Sequence, residues 1–291
     1  MDREGAVDLG RIPDLVEHAL SHRMAGLYVC GSTGQGLSLS GDERRAVAEG
    51  FVTAAGGRLP IIVQVGHESV VESRALASHA SSCGADAISA LAPVYFKPRT
   101  PDALLGTLEE IAGAAPELPF YYYFIPELSG VAHSPVGLLE QGAERLPSLA
   151  GVKYTAPTLD ELQECMAIAG DRFQLLYGRD EMLLAALSVG IEAAVGSTYN
   201  YLAPVYHRLI QAFESGDLAS AREAQARSLA VIRLLKRFGL DAQKPLMAEL
   251  ALDCGPARRP LSPLSGSDLA ELRQTLDQLG ARDWAKGDAG C

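Results

Sequence analysis

No apolar stretch in this sequence reaches the ~20 residues that a membrane-spanning helix needs. The opening Met1-Asp2-Arg3-Glu4-Gly5 is polar and lacks the apolar core of a secretory signal, so a cytoplasmic location is expected. Cationic charge is also scarce. Lys and Arg number 25 against 36 Asp and Glu, a net charge of −11. That balance argues against nucleic acid and anionic membrane as partners, and an anionic substrate would need a local positive site. Cys30, Cys83, Cys165, Cys254 and Cys291 are odd in number and widely spaced. Neither a disulfide framework nor metal-ligand spacing results, so buried or surface thiols are expected. Cys30 precedes a glycine-rich loop but is not expected to act as a nucleophile. The histidines, His18, His22, His67, His79, His133 and His207, lack metal spacing as well. His18 and His22 would share a helix face without an acidic third ligand, and no metal is expected. His67 follows a strand end and is expected near the mouth of the fold.

What is present is an alternation. Short apolar strands are expected over 26–30, 60–65, 87–92, 119–125, 151–154, 173–177 and 193–196. Helical patterns are expected over 9–21, 40–55, 69–82, 101–114, 135–145, 159–168 and 181–189. Such alternation predicts parallel strands joined by right-handed crossovers. Beyond Thr198 the pattern is wholly helical, over 202–215, 218–238, 243–252 and 267–279. Two regions are therefore expected: a β/α part over 1–200 and a helical extension over 201–291. Seven strands are countable, one fewer than a closed (β/α)₈ barrel needs. The shortfall lies before Leu9, so the fold is either an open sheet or a barrel whose first strand is missing from this chain.

Lys153 is the residue that most constrains function. It sits in Ala150-Gly151-Val152-Lys153-Tyr154-Thr155, an apolar run between Pro147 and Pro157 that reads as a buried strand. Burial favours a neutral amine, and a neutral lysine is the residue that forms Schiff bases with carbonyl compounds. The run Phe120-Tyr121-Tyr122-Tyr123-Phe124-Ile125-Pro126 supplies phenols. Alternation turns Tyr122 away from its neighbours. Tyr123, nearest the strand's C-terminal end, is the candidate for a site.

Three loops follow strand ends, where α/β barrels place their active sites. Gly31-Ser32-Thr33-Gly34-Gln35-Gly36 offers hydroxyls and backbone N–H groups as a carboxylate or phosphate cradle, or is simply a tight turn. It is neither a Walker loop nor a GxGxxG turn. Gly178-Arg179-Asp180-Glu181 opens a helix with two acids, which suits either capping or recognition of substrate hydroxyls. Gly196-Ser197-Thr198-Tyr199-Asn200 carries the same two readings.

Four ordered segments, Gly31-Ser32-Thr33-Gly34, Tyr123-Phe124-Ile125-Pro126, Gly151-Val152-Lys153-Tyr154-Thr155 and Gly196-Ser197-Thr198, resemble the dihydrodipicolinate synthase / N-acetylneuraminate lyase superfamily of Schiff-base aldolases. The resemblance runs from Val7 to about Pro263 and is strongest to the sialic acid lyases. It implies a TIM (β/α)₈ barrel with a C-terminal helical extension, usually a homotetramer, working without a cofactor. It also implies Lys153 as the Schiff-base lysine, Tyr123 as the proton relay, and Ser32 and Thr33 as binders of the pyruvyl carboxylate. Thr155, Gly178, Asp180, Glu181 and Ser197 fall on sugar-contacting positions. Tyr95 falls on an aromatic position of the tyrosine relay, in some members across a subunit contact.

This chain departs from the pattern at Phe124, where asparagine is usual, and at Gln35, where glutamate is common. The synthases hold their aldehyde substrate's carboxylate with an arginine where this chain has Leu128. Leucine offers no such bidentate contact, which argues against synthase chemistry. The expected reaction is cleavage of N-acetylneuraminate to N-acetylmannosamine and pyruvate. Another pyruvate-dependent aldolase, or a catalytically silent sugar-binding barrel, remains as an alternative.

Overall fold

The seven apolar runs form seven parallel strands that neighbour one another in chain order. They are β1 (Leu27–Val29), β2 (Ile61–Gln64), β3 (Ala87–Leu91), β4 (Phe120–Phe124), β5 (Leu149–Tyr154), β6 (Gln174–Tyr177) and β7 (Ala193–Ala194). The computed structural model describes residues 1–2 and 4–286; Cys291 lies outside them. No eighth strand joins β1 to β7 among the described residues. The chain divides into two compact units. One comprises Ala25–Arg179 and Val189–Val195, and the other Met1–Met24, Asp180–Ser188 and Gly196–Cys291.

The first unit contains the whole sheet. Each of β1 to β5 is followed by a helix, with Gly41–Ala55, Val70–Ser82, Pro101–Ala112, Pro135–Arg145 and Leu159–Ala169 the main ones. The helix Gly41–Ala55 begins at a full capping box: Ser40 Oγ accepts from the Glu43 N–H, and Glu43 accepts from the Ser40 N–H. Such a cap stabilises a helix by about 0.5–2 kcal/mol. One turn on, the Arg44 guanidinium is buried and donates to Gly66 O, Gln64 O and Gln64 Oε1. It thereby ties this helix to the C-terminal end of β2.

The sheet is strongly curled. Strands β1 and β5 are four spacings apart, roughly 19 Å if the sheet were flat. Yet Lys153 Nζ on β5 lies 3.7 Å from the ring centre of Tyr28 on β1. Two extended side chains cannot bridge the flat distance, so the strands must wrap round and bring their inner faces together. Alternation then sorts the residues. Tyr122, Phe124, Tyr154 and Tyr177 form a buried aromatic row on the helix-facing side. Lys153 and Tyr123 lie on the other side, paired in register on adjacent strands.

The second unit is helical. Its long helices Tyr199–Glu214 and Leu218–Phe238 bury Leu202, Val205, Tyr206, Leu209, Val231 and Ile232. The helix expected to begin at 202 starts three residues earlier. Tyr201 and Leu202 already donate their N–H groups to Thr198 O, and the helix runs on through a kink at Leu202, ahead of Pro204. The helix expected over 181–189 is instead a 3₁₀ turn, Asp180–Met182, leading into Leu183–Ser188.

Candidate active site

Lys153 is 6% exposed, and its amine lies between two aromatic faces. The Tyr28 ring centre is 3.7 Å from Nζ and the Tyr123 ring centre 4.0 Å. The two rings meet edge to face, 5.6 Å apart at 73°. Register explains the Tyr123 contact, since Tyr123 and Lys153 are direct partners on β4 and β5. Tyr123 Oη is 3.4 Å from Ser32 Oγ, which brings the glycine-rich loop to the same place. Amine, phenol and hydroxyl thus converge from β5, β4 and the loop after β1.

That loop is shaped by close approach. Cys30 and Gln35 both have left-handed angles, φ +59° and +54°. Gln35 and Gly36 donate their N–H groups to Ser32 O and Gly31 O, folding the loop on itself. A Cβ at Gly36 would lie 1.8 Å from Cys30 O, so no larger residue fits there. The hydroxyl residues Ser32 and Thr33 remain exposed at its tip. The Cys30 thiol is buried, which pushes its pKa up to about 11, against the partial pull of Arg44. That is the environment of an inert thiol. Cys165 is buried too, while Cys83 and Cys254 are partly buried, and all four are free.

Thr155 follows Lys153 by two residues. Its Oγ1 is buried with no hydrogen-bond partner among the described residues. Beside it, a Cβ on Gly178 would lie 1.9 Å from that oxygen, so glycine is the residue that leaves the hydroxyl room. Phe124, the departure from the family pattern, lies on the opposite face among Tyr122 and Tyr154. Leu128 is 54% exposed on the short helix Pro126–Ser129. Its neighbour Glu127 pairs with Arg179 at 2.9 Å.

Tyr95 follows β3. It is 77% exposed, packed edge-on against Phe96 in a loop held by Glu68, whose carboxylate accepts the N–H groups of Val94, Tyr95 and Phe96. His67 lines a cavity of about 120 Å³ with Leu37, Glu68 and Val94.

Asp180, Glu181 and Ser197 belong to the helical unit. Asp180 is 6% exposed, and its Oδ2 accepts from both the backbone N–H and the hydroxyl of Thr198. Thr198 Oγ1 in turn meets Tyr206 Oη. The carboxylate therefore anchors the start of Tyr199–Glu214. Asp180 Oδ1 also occupies the space a Cβ on Gly196 would need. Ser197 accepts the Asn200 side-chain amide through its carbonyl.

No local pattern in the sequence singles out Tyr28. The signal available is its position two residues before Cys30, on the same strand face as the loop entrance. Nothing nearby in the chain says that an amine from β5 reaches it.

Known proteins share this chain's sequence pattern and fold. The Dihydrodipicolinate synthetase family model matches residues 1–279. The N-acetylneuraminate lyase of Danio rerio is 38% identical over 279 residues, covering 94% of this chain and 91% of that protein. Among solved structures, Proteus mirabilis N-acetylneuraminate lyase superposes with TM-score 0.92 at 34% identity, covering 96% and 95% of the two chains. The sialic acid aldolase of Aliivibrio salmonicida also gives 0.92, at 36% identity over 96% and 93%. The curled parallel sheet is thus a TIM-barrel sheet with C-terminal helices, and the chain belongs to the dihydrodipicolinate synthetase family.

Proposed function

We propose that the chain is a Schiff-base lyase that cleaves N-acetylneuraminate to N-acetylmannosamine and pyruvate. The observation that carries this reading is the buried Lys153 amine set beside the Tyr123 phenol, with Ser32 Oγ within 3.4 Å of that phenol. Relatives named N-acetylneuraminate lyase support the choice of sugar acid.

The open-chain substrate presents its C2 ketone to the neutral Lys153 amine. Condensation releases water, takes up one proton and leaves an iminium cation. The substrate carboxylate rests on Ser32, Thr33 and the loop amides. Tyr123, as phenolate or through that carboxylate, takes the C4 hydroxyl proton. The C3–C4 bonding pair flows into the iminium, giving an enamine and the aldehyde of N-acetylmannosamine. Protonation at C3 and hydrolysis then release pyruvate and restore the amine. The iminium is itself the electron sink, so the sequence of steps calls for no resident cofactor or metal.

Thr155 Oγ1 is suited to a sugar hydroxyl, because a buried hydroxyl without a protein partner gains most from one. The sequence resemblance alone assigns Gly178, Asp180, Glu181 and Ser197 to the sugar tail and Tyr95 to the tyrosine relay. The same reading includes a cytoplasmic homotetramer, with the barrel over 1–200 and the helical extension over 201–291. The exposed Tyr95–Phe96 pair suits a subunit contact.

The test is pyruvate release from N-acetylneuraminate compared with other 2-keto-3-deoxy sugar acids. A kcat/KM highest for N-acetylneuraminate is expected; a preference for a different keto-deoxy acid would move the assignment to another aldolase. Gly178→Ala is expected to lower kcat/KM by roughly 10–100-fold, since the new methyl displaces the Thr155 hydroxyl by about an ångström. An unchanged value in steady-state kinetics would remove Thr155 from the site.

A further inference from the structure

Tyr28 is half-buried on β1, and none of the steps from ketone to pyruvate uses it. Its hydroxyl donates to Ser89 Oγ at 2.8 Å, and Ser89 is fully buried on β3. The oxygen is therefore directed at a neighbouring part of the sheet. Burial, with the Tyr123 phenol nearby, also raises the Tyr28 pKa well above its ordinary value, so the phenol stays neutral. A neutral phenol tied by its own hydroxyl is poorly placed to carry protons. What it presents to the site is its face, with Lys153 Nζ 3.7 Å from the ring centre.

The surroundings hold that ring in place. A Cβ on Gly31 would lie 2.9 Å from Cδ1 and Cε1 of Tyr28, so the first glycine of the loop makes room for it. The Tyr123 ring meets it edge-on and fixes its other side. Together, Gly31, Tyr123 and Ser89 give the Tyr28 ring one orientation.

We propose that the face of Tyr28 is an electrostatic element of catalysis, stabilising the cationic iminium on Lys153 relative to the neutral amine that precedes it. The proposal rests on the Schiff-base reading. In the condensation, the amine lone pair attacks the ketone carbon, the carbonyl oxygen leaves as water, and one proton is taken up. The nitrogen thus passes from neutral to positive directly over the ring. An aromatic face within about 6 Å of a cation attracts it through the ring quadrupole, most strongly where water is excluded. Such contacts correspond to roughly 2- to 30-fold in an equilibrium constant. Tyr123 offers a second face, but its hydroxyl is assigned to proton transfer; Tyr28 has no such duty. The same contact persists through the enamine's reprotonation, where the cation forms again.

The experiment measures the pyruvate concentration giving half-maximal borohydride trapping, at a pH where the free amine is neutral. Tyr28→Phe keeps the face and removes only the Ser89 hydrogen bond, and is expected to trap within about 3-fold of the unaltered protein. Tyr28→Leu is expected to need roughly 3- to 30-fold more pyruvate, with kcat for cleavage falling in parallel. Because leucine also changes the packing around the amine, the decisive series places mono-, di- and trifluorophenylalanine at position 28. These rings keep their shape while losing face potential, and trapping is expected to weaken stepwise with each fluorine. A flat series would overturn the proposal, as would a Tyr28→Phe protein as impaired as Tyr28→Leu. Absence of any trapping in the unaltered protein would instead sink the Schiff-base reading on which this one stands.

Discussion

Lys153→Met is expected to fold and to lose turnover by on the order of 10⁴-fold or more. Lys153 is 6% exposed and packed between two rings, so an unbranched apolar side chain of similar length fills its place. A methionine there makes thioether–aromatic contacts with Tyr28 and Tyr123 and removes an amine from an apolar setting, so the melting temperature should be kept or raised. The whole loss then falls on chemistry. Without the amine there is no iminium, and without the iminium the C3–C4 electrons have nowhere to go. The assay is pyruvate release under saturating substrate, alongside a thermal melt. Retained turnover in a folded Lys153→Met protein would remove this lysine from the reaction.

Tyr123→Phe carries the second largest expected effect, a fall in kcat of roughly 10²–10⁴-fold, the usual contribution of positioned proton transfer. Its particular value is that it divides the reaction. Phenylalanine retains the ring face over Lys153 Nζ and removes only the hydroxyl 3.4 Å from Ser32 Oγ. Schiff-base formation with pyruvate should therefore survive while carbon–carbon cleavage slows. Single-turnover kinetics separates the two steps. Equal losses in trapping and cleavage would mean that Tyr123 serves to shape the amine's setting and does not move the C4 proton.

The barrel part of the fold is legible in the sequence because each strand is a short apolar run followed by an amphipathic helix. The helices expected over 135–145 and 218–238 coincide with the observed Pro135–Arg145 and Leu218–Phe238. The short helix Pro126–Ser129 is not legible, because four residues leave no periodicity to read. Within the site, Lys153 and Tyr123 stand out for a local reason: a charged residue and a phenol at the ends of apolar strands. Register on adjacent strands then brings them together. Tyr28 does not stand out. Its contact with Lys153 exists only because the sheet curls through four strand spacings, and no local pattern encodes that curl. Asp180 shows the converse. Its sequence context suits a cap or a ligand equally, and its partner Thr198 is on another segment of the chain, which no local pattern announces.

Covalent chemistry at Lys153 is the claim on which everything else depends. The most direct measurement is borohydride reduction in the presence of pyruvate, followed by peptide mass mapping. A single reduced pyruvyl adduct on the peptide containing Lys153 is the predicted result. Folded protein that acquires no adduct, or acquires it on a different lysine such as Lys97 or Lys244, would contradict that claim.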